Sequence, residues 1–226
     1  MTECDLCFHR CQLEEGQVGF CRGRKNFKGV IIPLNYDRVT SIALDPIEKK
    51  PLKYFHPGSM ILSLGGFGCN LRCPFCQNHS ISMADEKIFT RHLSVSDAVD
   101  LAKSLKKDGN IGLAYTYNEP LINFEYVLDC SKEIRNSGMV NVLVTNGTIE
   151  EAPLRRLLPF IDAYNIDLKG FSQTFYDKIS GDFESVKRTI KITSKVAHVE
   201  VTFLAIEGEN DSDEEMEQMA KWLADI

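Results

Sequence analysis

The sequence has no apolar run long enough to cross a membrane and no apolar segment near its beginning. A membrane helix needs roughly 18 consecutive apolar residues, and no stretch of the 226 residues approaches that length. The first residues, MTECDLCFHRCQLEEG, carry acids and cysteines where a signal peptide has its apolar region. We therefore expect a cytoplasmic protein that does not associate with membranes.

The chain also lacks an excess of basic residues, low-complexity segments and internal repeats. It holds 26 basic and 32 acidic residues, a net charge of −6, so a nucleic-acid-binding surface is not expected. Apolar residues make up 43% and charged residues 26% of the chain, which is the composition of an ordinary globular protein. At this length we predict one sizeable domain plus a small appendage.

Cysteine, by contrast, is abundant: eight residues form two groups and a singleton. The first group has the spacing C-x2-C-x3-C-x9-C and consists of Cys4, Cys7, Cys11 and Cys21. The second group lies within CNLRCPFC and consists of Cys69, Cys73 and Cys76. Cys130 stands alone in a helical pattern and is predicted to be a buried apolar residue. Because a reducing compartment keeps thiols free, the clustered cysteines indicate metal binding rather than disulfides.

From residue 59 onward, β-branched apolar runs alternate with helical patterns. Strands are predicted over 59–66, 110–117, 140–147, 162–170 and 197–206. Helices are predicted over 94–109, 122–138, 150–160, 172–180, 183–195 and 212–224. This alternation predicts an α/β fold built from parallel βαβ units. Because another strand normally follows the last helix of such a sheet, we expect at least one terminal strand to be missing from this chain.

The chain before this series predicts a separate organisation. Residues 22–58 form an irregular or β-rich connector that contains DPIEKKPL (45–52), whose two prolines argue against one regular element. We therefore predict a Cys-rich N-terminal metal-binding lobe and connector over residues 1–58, and an α/β partial barrel over residues 59–226.

Polar residues gather at the predicted carboxyl ends of the strands, where parallel α/β folds place their chemistry. The second strand leads into Asn118 and Glu119, and the third ends at Thr145 and Asn146.

Alternation along the last two strands puts further polar side chains on one face. These side chains are Asn165, Asp167, Lys169, His198, Glu200 and Thr202. Uncompensated burial of such charges costs several kcal/mol each, so we expect an open, wet barrel interior lined for a polar or charged ligand. The alternatives are that Asp167 and Lys169 merely pair, or that this face points outward.

The second cysteine group supplies three thiols, one fewer than a structural zinc site or an ordinary iron–sulfur cluster takes. Three thiolates hold three irons of a [4Fe–4S] cubane and leave the fourth iron open for a chelating ligand. The glycines of GGFG, directly before Cys69, would let the backbone approach closely. The alternative is a zinc knuckle completed by His79 or by an N-terminal cysteine.

The pattern C-x3-C-x-Φ-C, with Phe75 as the aromatic residue, resembles the signature of the radical S-adenosylmethionine (SAM) superfamily. The resemblance implies that Cys69, Cys73 and Cys76 ligate a catalytic [4Fe–4S] cluster whose open iron is chelated by SAM. It implies reductive cleavage of SAM to methionine and a 5′-deoxyadenosyl radical that abstracts hydrogen from a substrate. It also implies a partial (β/α)6 TIM-like barrel and an electron donor such as flavodoxin or ferredoxin.

Further segments resemble pyruvate formate-lyase activating enzyme of that family. YNEP (117–120) stands where the family has a GGEP-type motif, so Glu119 is expected to contact the SAM amino group, although Tyr-Asn replaces Gly-Gly. VTNG and DLK resemble its DTNG and DLK segments, which implies that Asp167 and Lys169 lie near the SAM carboxylate, Asp167 with a monovalent cation. Val144 replaces the aspartate of DTNG, which argues against that cation. The other residues expected to bind cofactor are Phe75, Asn118, Thr145, Asn146, Glu200 and Thr202.

Longer stretches resemble one subgroup more closely. CDLCFHRCQLEEGQVGFCRGR, DPIEKKPL, PGS and GCNLRCPFCQNHSIS are similar to activating-enzyme-like proteins and to the radical SAM partner in AmmeMemoRadiSam systems. The resemblance implies hydrogen abstraction from a glycine of a glycyl radical enzyme. The alternatives are a small molecule, an RNA base or another protein as substrate, or a non-catalytic metal-stapled scaffold that binds a partner protein.

The N-terminal cysteine group has the ligand number of a complete metal site. Zinc would stabilise a small lobe that cannot fold by hydrophobic burial alone, whereas an iron–sulfur cluster would relay electrons. The spacing does not choose between the two metals, and His9 is an alternative ligand.

Overall fold

The computed structural model describes residues 1–226 and contains one large sheet of six strands. In chain order these strands are β1 (Ser41–Pro46), β2 (Met60–Gly65), β3 (Asn110–Tyr115), β4 (Val140–Thr145), β5 (Ala163–Asp167) and β6 (His198–Thr202). Strands adjacent in the chain are adjacent in the sheet, and the strands from β2 to β6 are parallel. The predicted series of five parallel strands is confirmed.

The predicted helices are confirmed as well. They are α1 (Val95–Ser104), α2 (Phe124–Asn136), α3 (Glu151–Leu157), α4 (Gln173–Lys178), α5 (Phe183–Thr193) and α6 (Asp213–Ala224). The start of α1 shows why they begin where they do: the Ser94 side chain accepts the backbone N–H of Asp97, a donor that the first turn cannot satisfy. None of the helices has the length and apolar character needed to cross a bilayer.

The outward face of the sheet packs on these helices through large apolar side chains. Leu62, Leu113, Leu143 and Ile166, one from each strand from β2 to β5, are at most 1% exposed and belong to the main core. Alternation along the strands therefore leaves the other face to the barrel interior.

The inward face carries smaller apolar side chains over part of its length. They form a second buried cluster, here called the barrel floor, which consists of Ile47, Leu52, Ile61, Ala114, Val142 and Ala163. The first two residues come from the connector and fold over the four strand residues. A packed layer thus fills part of the barrel interior, and the wet interior expected from the sequence is restricted to the remaining space.

The connector contributes more regular structure than the sequence indicates. β1 pairs antiparallel with β2, with Asp45 opposite Ile61, so the connector adds an edge strand to the barrel sheet. A 3-10 turn, Ile47–Lys49, follows directly after Pro46. DPIEKKPL therefore does not form one regular element, as its two prolines predict. The division of the chain between residues 58 and 59 stays a prediction.

The remaining strands form short antiparallel pairs outside the large sheet. Thr2–Glu3 pairs with Gln12–Leu13, and Arg24–Phe27 pairs with Val30–Pro33. A further pair joins Arg38–Val39 to Arg91–His92. The N-terminal lobe thus has little regular structure of its own.

Candidate active site

The second cysteine group lies on the loop after β2 and faces a cavity of about 430 Å³. Cys69, Cys73 and Cys76 all line this cavity, and no other cysteine does. Burial raises the pKa of the Cys69 thiol to about 12 and that of Cys73 to about 11. Thiol is the donor type that iron–sulfur clusters take, and three thiols on one cavity wall fit a cluster with one iron left open. Binding a cluster would deprotonate them.

The structure brings nearly all of the predicted cofactor-binding residues to this same cavity. Those that line it are Phe75, Asn118, Glu119, Thr145, Asn146, Asp167, Lys169 and Thr202. They come from the cysteine loop and from the carboxyl ends of β3 to β6, which is where a parallel sheet gathers its polar groups. Glu200 is the exception.

Close backbone packing shapes the loop just before the first cysteine. Gly68 has a φ of +86°, and a Cβ at this position would lie 2.5 Å from the carbonyl oxygen of Cys21. The amide N–H of Cys69 donates to the same oxygen at 3.2 Å. Glycine tolerates both the left-handed backbone and this approach. The glycine therefore permits direct contact between the cysteine loop and the N-terminal lobe.

The first two residues of YNEP, which follow β3, form hydrogen bonds with the loop that contains GGFG and the cysteines. Asn118 Oδ1 accepts the N–H of Gly66 at 2.9 Å, and Asn118 Nδ2 donates to the carbonyl of Gly68 at 3.0 Å. Tyr117 has a φ of +73°, the left-handed region that favours glycine, the residue type of the GGEP-type motif. Its carbonyl accepts Asn78 Nδ2 at 2.8 Å. The Tyr-Asn pair thus keeps a glycine-like backbone and adds side-chain bonds to the loop.

Glu119 is a buried carboxylate, 3% exposed, that accepts three hydrogen bonds. Its Oε1 accepts from Thr145 Oγ1 at 2.8 Å and from the N–H of Leu121 at 3.0 Å, and its Oε2 accepts from the N–H of Asn146 at 2.8 Å. Burial nevertheless raises the pKa of Glu119 to about 7. A cation placed beside it would offset that burial and favour the ionised form.

Asn146 links the end of β4 to the cysteine loop. Its Nδ2 donates to Asn70 Oδ1 at 2.9 Å and lies 3.8 Å from Cys69 Sγ. Hydrogen bonds to cysteine sulfurs are one of the means by which proteins set the potential of an iron–sulfur cluster. Asn146 therefore contacts the Cys69 sulfur and also lines the cavity.

Asp167 and Lys169 pair with each other at the end of β5. Lys169 Nζ lies 3.1 Å from Asp167 Oδ2. Burial lowers the pKa of Lys169, but Asp167 and the nearby Cys73 raise it by more, so the net change is upward. Both side chains line the cavity. The pairing that the sequence offered as an alternative therefore occurs, and it occurs within the cavity wall.

The two predicted residues of β6 are placed differently. Thr202 lines the cavity, and its Oγ1 accepts Asn165 Nδ2 at 2.7 Å. Glu200 contacts the connector instead, where its carboxylate accepts the N–H groups of Lys53 and Tyr54 at 2.8 Å each. Glu200 therefore lies outside the cavity lining, where its carboxylate contacts the connector backbone and His198 Nε2.

The sequence did not indicate the part of the cavity that the connector supplies. Lys49, Lys50 and Pro51 of DPIEKKPL line it together with Tyr117. Two adjacent lysines between prolines were the available signal. Their position depends on how the connector folds back over β3, which no local pattern shows.

The N-terminal cysteines are free thiols, with Cys4 and Cys21 buried and Cys7 and Cys11 partly exposed. No three His, Cys, Asp or Glu side chains in the structure are grouped as ligands of a single metal ion. His9 Nε2 lies 2.8 Å from the carbonyl oxygen of Asn70. The lobe therefore contacts the cysteine loop at a second point.

Comparison with known proteins matches the part of the chain that contains Cys69, Cys73 and Cys76 to a known family. The profile of the Radical SAM superfamily matches residues 64–223. The protein MJ0808 of Methanocaldococcus jannaschii is 40% identical over 214 residues, a match that covers 93% of this chain. The chain spans 62% of the length of that relative.

Two solved structures resemble the fold. SuiB of Streptococcus suis superposes with a TM-score of 0.51 at 13% identity, over 72% of this chain and 35% of SuiB. Methylornithine synthase (PylB) superposes with a TM-score of 0.50 at 15% identity, over 75% of this chain and 53% of PylB. At such low identity the likeness concerns the fold alone, and it agrees with the α/β partial barrel.

Proposed function

Because the chain belongs to the radical SAM superfamily, which implies a [4Fe–4S] cluster and SAM, we propose that it cleaves SAM reductively to abstract hydrogen from a substrate. The observation that supports this proposal is the cavity that three cysteines share with the polar ends of four strands. A non-catalytic scaffold would not need Glu119, Asp167 and Lys169 around that cavity.

Each residue has a role in this proposal. Cys69, Cys73 and Cys76 hold the cluster, which when bound supplies the electron for SAM cleavage. Glu119, a buried carboxylate with a raised pKa, accepts the SAM amino group. Lys169, held by Asp167, receives the SAM carboxylate. The electron comes from a cytoplasmic one-electron donor such as flavodoxin or ferredoxin.

One candidate substrate is a glycine Cα–H of a glycyl radical enzyme. VTNG and DLK, which resemble segments of pyruvate formate-lyase activating enzyme, lie at the ends of β4 and β5 beside the cavity. The alternative is a small molecule or another protein, as for the AmmeMemoRadiSam resemblance. Deuterium transfer from a candidate substrate into 5′-deoxyadenosine separates these substrates.

Anaerobic reconstitution with iron and sulfide tests the radical chemistry. We expect an EPR-active cluster after reduction and 5′-deoxyadenosine from SAM. Cys73→Ala should lose both signals, whereas Cys130→Ala, which removes a buried thiol outside both groups, should keep them. A wild-type protein that binds a cluster but forms no 5′-deoxyadenosine would contradict the proposed function.

We also propose that Cys4, Cys7, Cys11 and Cys21 hold a second metal, either zinc or an iron–sulfur cluster. The support is the count of four thiols in a lobe with little regular structure of its own. Binding a single ion would have to draw these thiols together, since no three of them are grouped around one ion in the structure. Metal analysis of a protein in which Cys69, Cys73 and Cys76 are all replaced by alanine tests it. Residual zinc or iron is expected, and its absence would refute a second site.

A further inference from the structure

The segment DPIEKKPL has no part in the proposed binding of SAM, although it forms part of the cavity wall. Its first residues end β1, and Ile47 and Leu52 belong to the barrel floor. The carbonyl of Pro51 accepts Asn165 Nδ2 at 3.1 Å, which ties the segment to β5. These contacts make the segment a fixed part of the site.

Lys50 is the unusual residue in this wall, because its ammonium group is buried with a single hydrogen-bond acceptor. The residue is 1% exposed, and its Nζ donates to Asp45 Oδ2 at 2.8 Å. The centre of the Tyr117 ring lies 4.5 Å from Nζ. An ammonium group carries three N–H donors, so one carboxylate oxygen leaves part of its donor capacity unused.

Asp45 only partly compensates the positive charge around it. Its carboxylate accepts hydrogen bonds from Lys49 Nζ at 3.2 Å, from Lys50 Nζ at 2.8 Å and from the Tyr117 hydroxyl at 2.5 Å. This cluster of two lysines and one aspartate carries a net charge of +1, with Lys49 largely exposed and Lys50 buried. Burial lowers the pKa of Lys50 in spite of Asp45, as expected for a buried cation that is only partly compensated.

We propose that Lys50, with Lys49 beside it, binds a carboxylate or phosphate group of the substrate. An oxyanion would supply the acceptors that the ammonium lacks and would offset the positive charge of this cluster. The inference rests on the proposed function and gives the substrate class of the same cavity, an anionic small molecule. The glycine Cα–H named above carries no such group, so the inference favours the small-molecule alternative. The carboxylate of SAM has the same chemistry, but Lys169 already offers it a cation at the end of β5.

Binding measurements on the cluster-loaded protein test this assignment. The proteins are wild type, Lys50→Met and the control Lys106→Met, which removes an exposed lysine after α1. Iron content and uncoupled 5′-deoxyadenosine formation are measured first, because they report on the proposed function alone. The affinity for SAM is then measured by equilibrium dialysis. Inorganic phosphate and acetate are finally titrated calorimetrically into each protein at saturating SAM.

We expect saturable binding of phosphate or acetate to wild type and Lys106→Met. Loss of one charge-assisted contact should weaken it about tenfold or more in Lys50→Met, with SAM affinity unchanged. No anion binding to wild type, or equal binding to Lys50→Met, would overturn the proposal. A tenfold loss of SAM affinity in Lys50→Met would overturn it too, because the anion would then be the SAM carboxylate.

Lys50→Met leaves Asp45 without its buried partner, so a second variant covers a failure to fold. Asp45→Asn combined with Lys50→Met removes both buried charges, and Lys49, the other partner of Asp45, is exposed and remains hydrated. If the single variant does not load iron, the double variant replaces it in the same titrations, with the same expected and contrary results.

Discussion

Among the single residues, Gly68 allows the cysteine loop to contact the N-terminal lobe because it has no side chain. Its φ of +86° demands glycine, and so does the carbonyl oxygen of Cys21, which would lie 2.5 Å from a Cβ at this position. Gly66, two residues earlier, has neither constraint: the nearest atom to a Cβ there would be the Arg38 carbonyl oxygen at 3.7 Å. Gly66 is therefore a matched control position for a substitution at Gly68.

We expect Gly68→Ala to displace the cysteine loop and Gly66→Ala to leave it in place. Strain at such a backbone position costs about 1–3 kcal/mol, and here the clash is with backbone, which cannot rotate away. Iron content after reconstitution should fall in Gly68→Ala and stay near wild type in Gly66→Ala. Equal iron retention in the two variants would show that this contact does not shape the loop.

The raised pKa of Glu119 predicts that folding stability depends on pH. Its folded-state pKa of about 7 lies above the ordinary value of 4.5, so the folded chain binds the proton more tightly than the unfolded chain. This contribution to stability is complete below about pH 4.5 and is lost as the pH rises through about 7. The loss is on the order of 3 kcal/mol.

Glu119→Gln removes this titration. In cluster-free protein, the free energy of unfolding from urea titrations should fall more steeply with pH for wild type than for Glu119→Gln between pH 5 and 8. The comparison uses slopes, because the amide also alters the hydrogen bonds from Thr145 and Asn146 and shifts the whole curve. Parallel curves would show that Glu119 does not titrate in this range.

At the scale of elements, the connector acts as a structural part of the barrel. Leu52 of the barrel floor is fully buried, and removing most of such a side chain costs about 2–5 kcal/mol. We expect Leu52→Ala to lower the free energy of unfolding by that amount. Val196→Ala, at an exposed position before β6, should change it little. A Leu52→Ala protein as stable as Val196→Ala would mean that the floor is not part of the cooperative core.

The strands and helices after residue 59 could be predicted because their signals are local. Alternation in β5 put Asn165 and Asp167 on the inner face, and serine caps marked helix starts. The edge strand β1 could not be predicted in this way, because its pairing with β2 depends on register between distant segments. Ile47 and Leu52 lie in a proline-interrupted stretch without periodicity.

In the candidate site, too, the residues that follow strands could be predicted and those placed by tertiary packing could not. Residues that follow strands, such as Glu119 and Asn146, reach the cavity because the topology of a parallel sheet leaves no other place for them. Alternation also predicted Glu200 on the inner face, but its carboxylate accepts hydrogen bonds from the backbone of Lys53 and Tyr54 and does not reach the cavity. Lys50 was missed because its position depends on tertiary packing of the connector.

At the scale of the whole molecule, SAM and the cluster should be coupled through folding stability. A ligand at 100 times its dissociation constant stabilises the folded state by about 2.7 kcal/mol, which raises the melting temperature of a protein of this size by roughly 5–10 °C. We expect this rise in cluster-loaded wild type and little or none in Cys73→Ala. The same shift in both proteins would mean that SAM binds without the open iron.

The hydrogen bond from the Cys69 amide to the carbonyl of Cys21 also bears on how the enzyme matures. During synthesis the residues up to Cys21 leave the ribosome well before CNLRCPFC does, so the acceptor oxygen is available when the cysteine loop emerges. The hydrogen bond exists only when the two segments are docked on each other. We therefore expect a cluster to be loaded onto protein in which the residues around Cys21 are already docked on the cysteine loop, so that this segment serves as an assembly template.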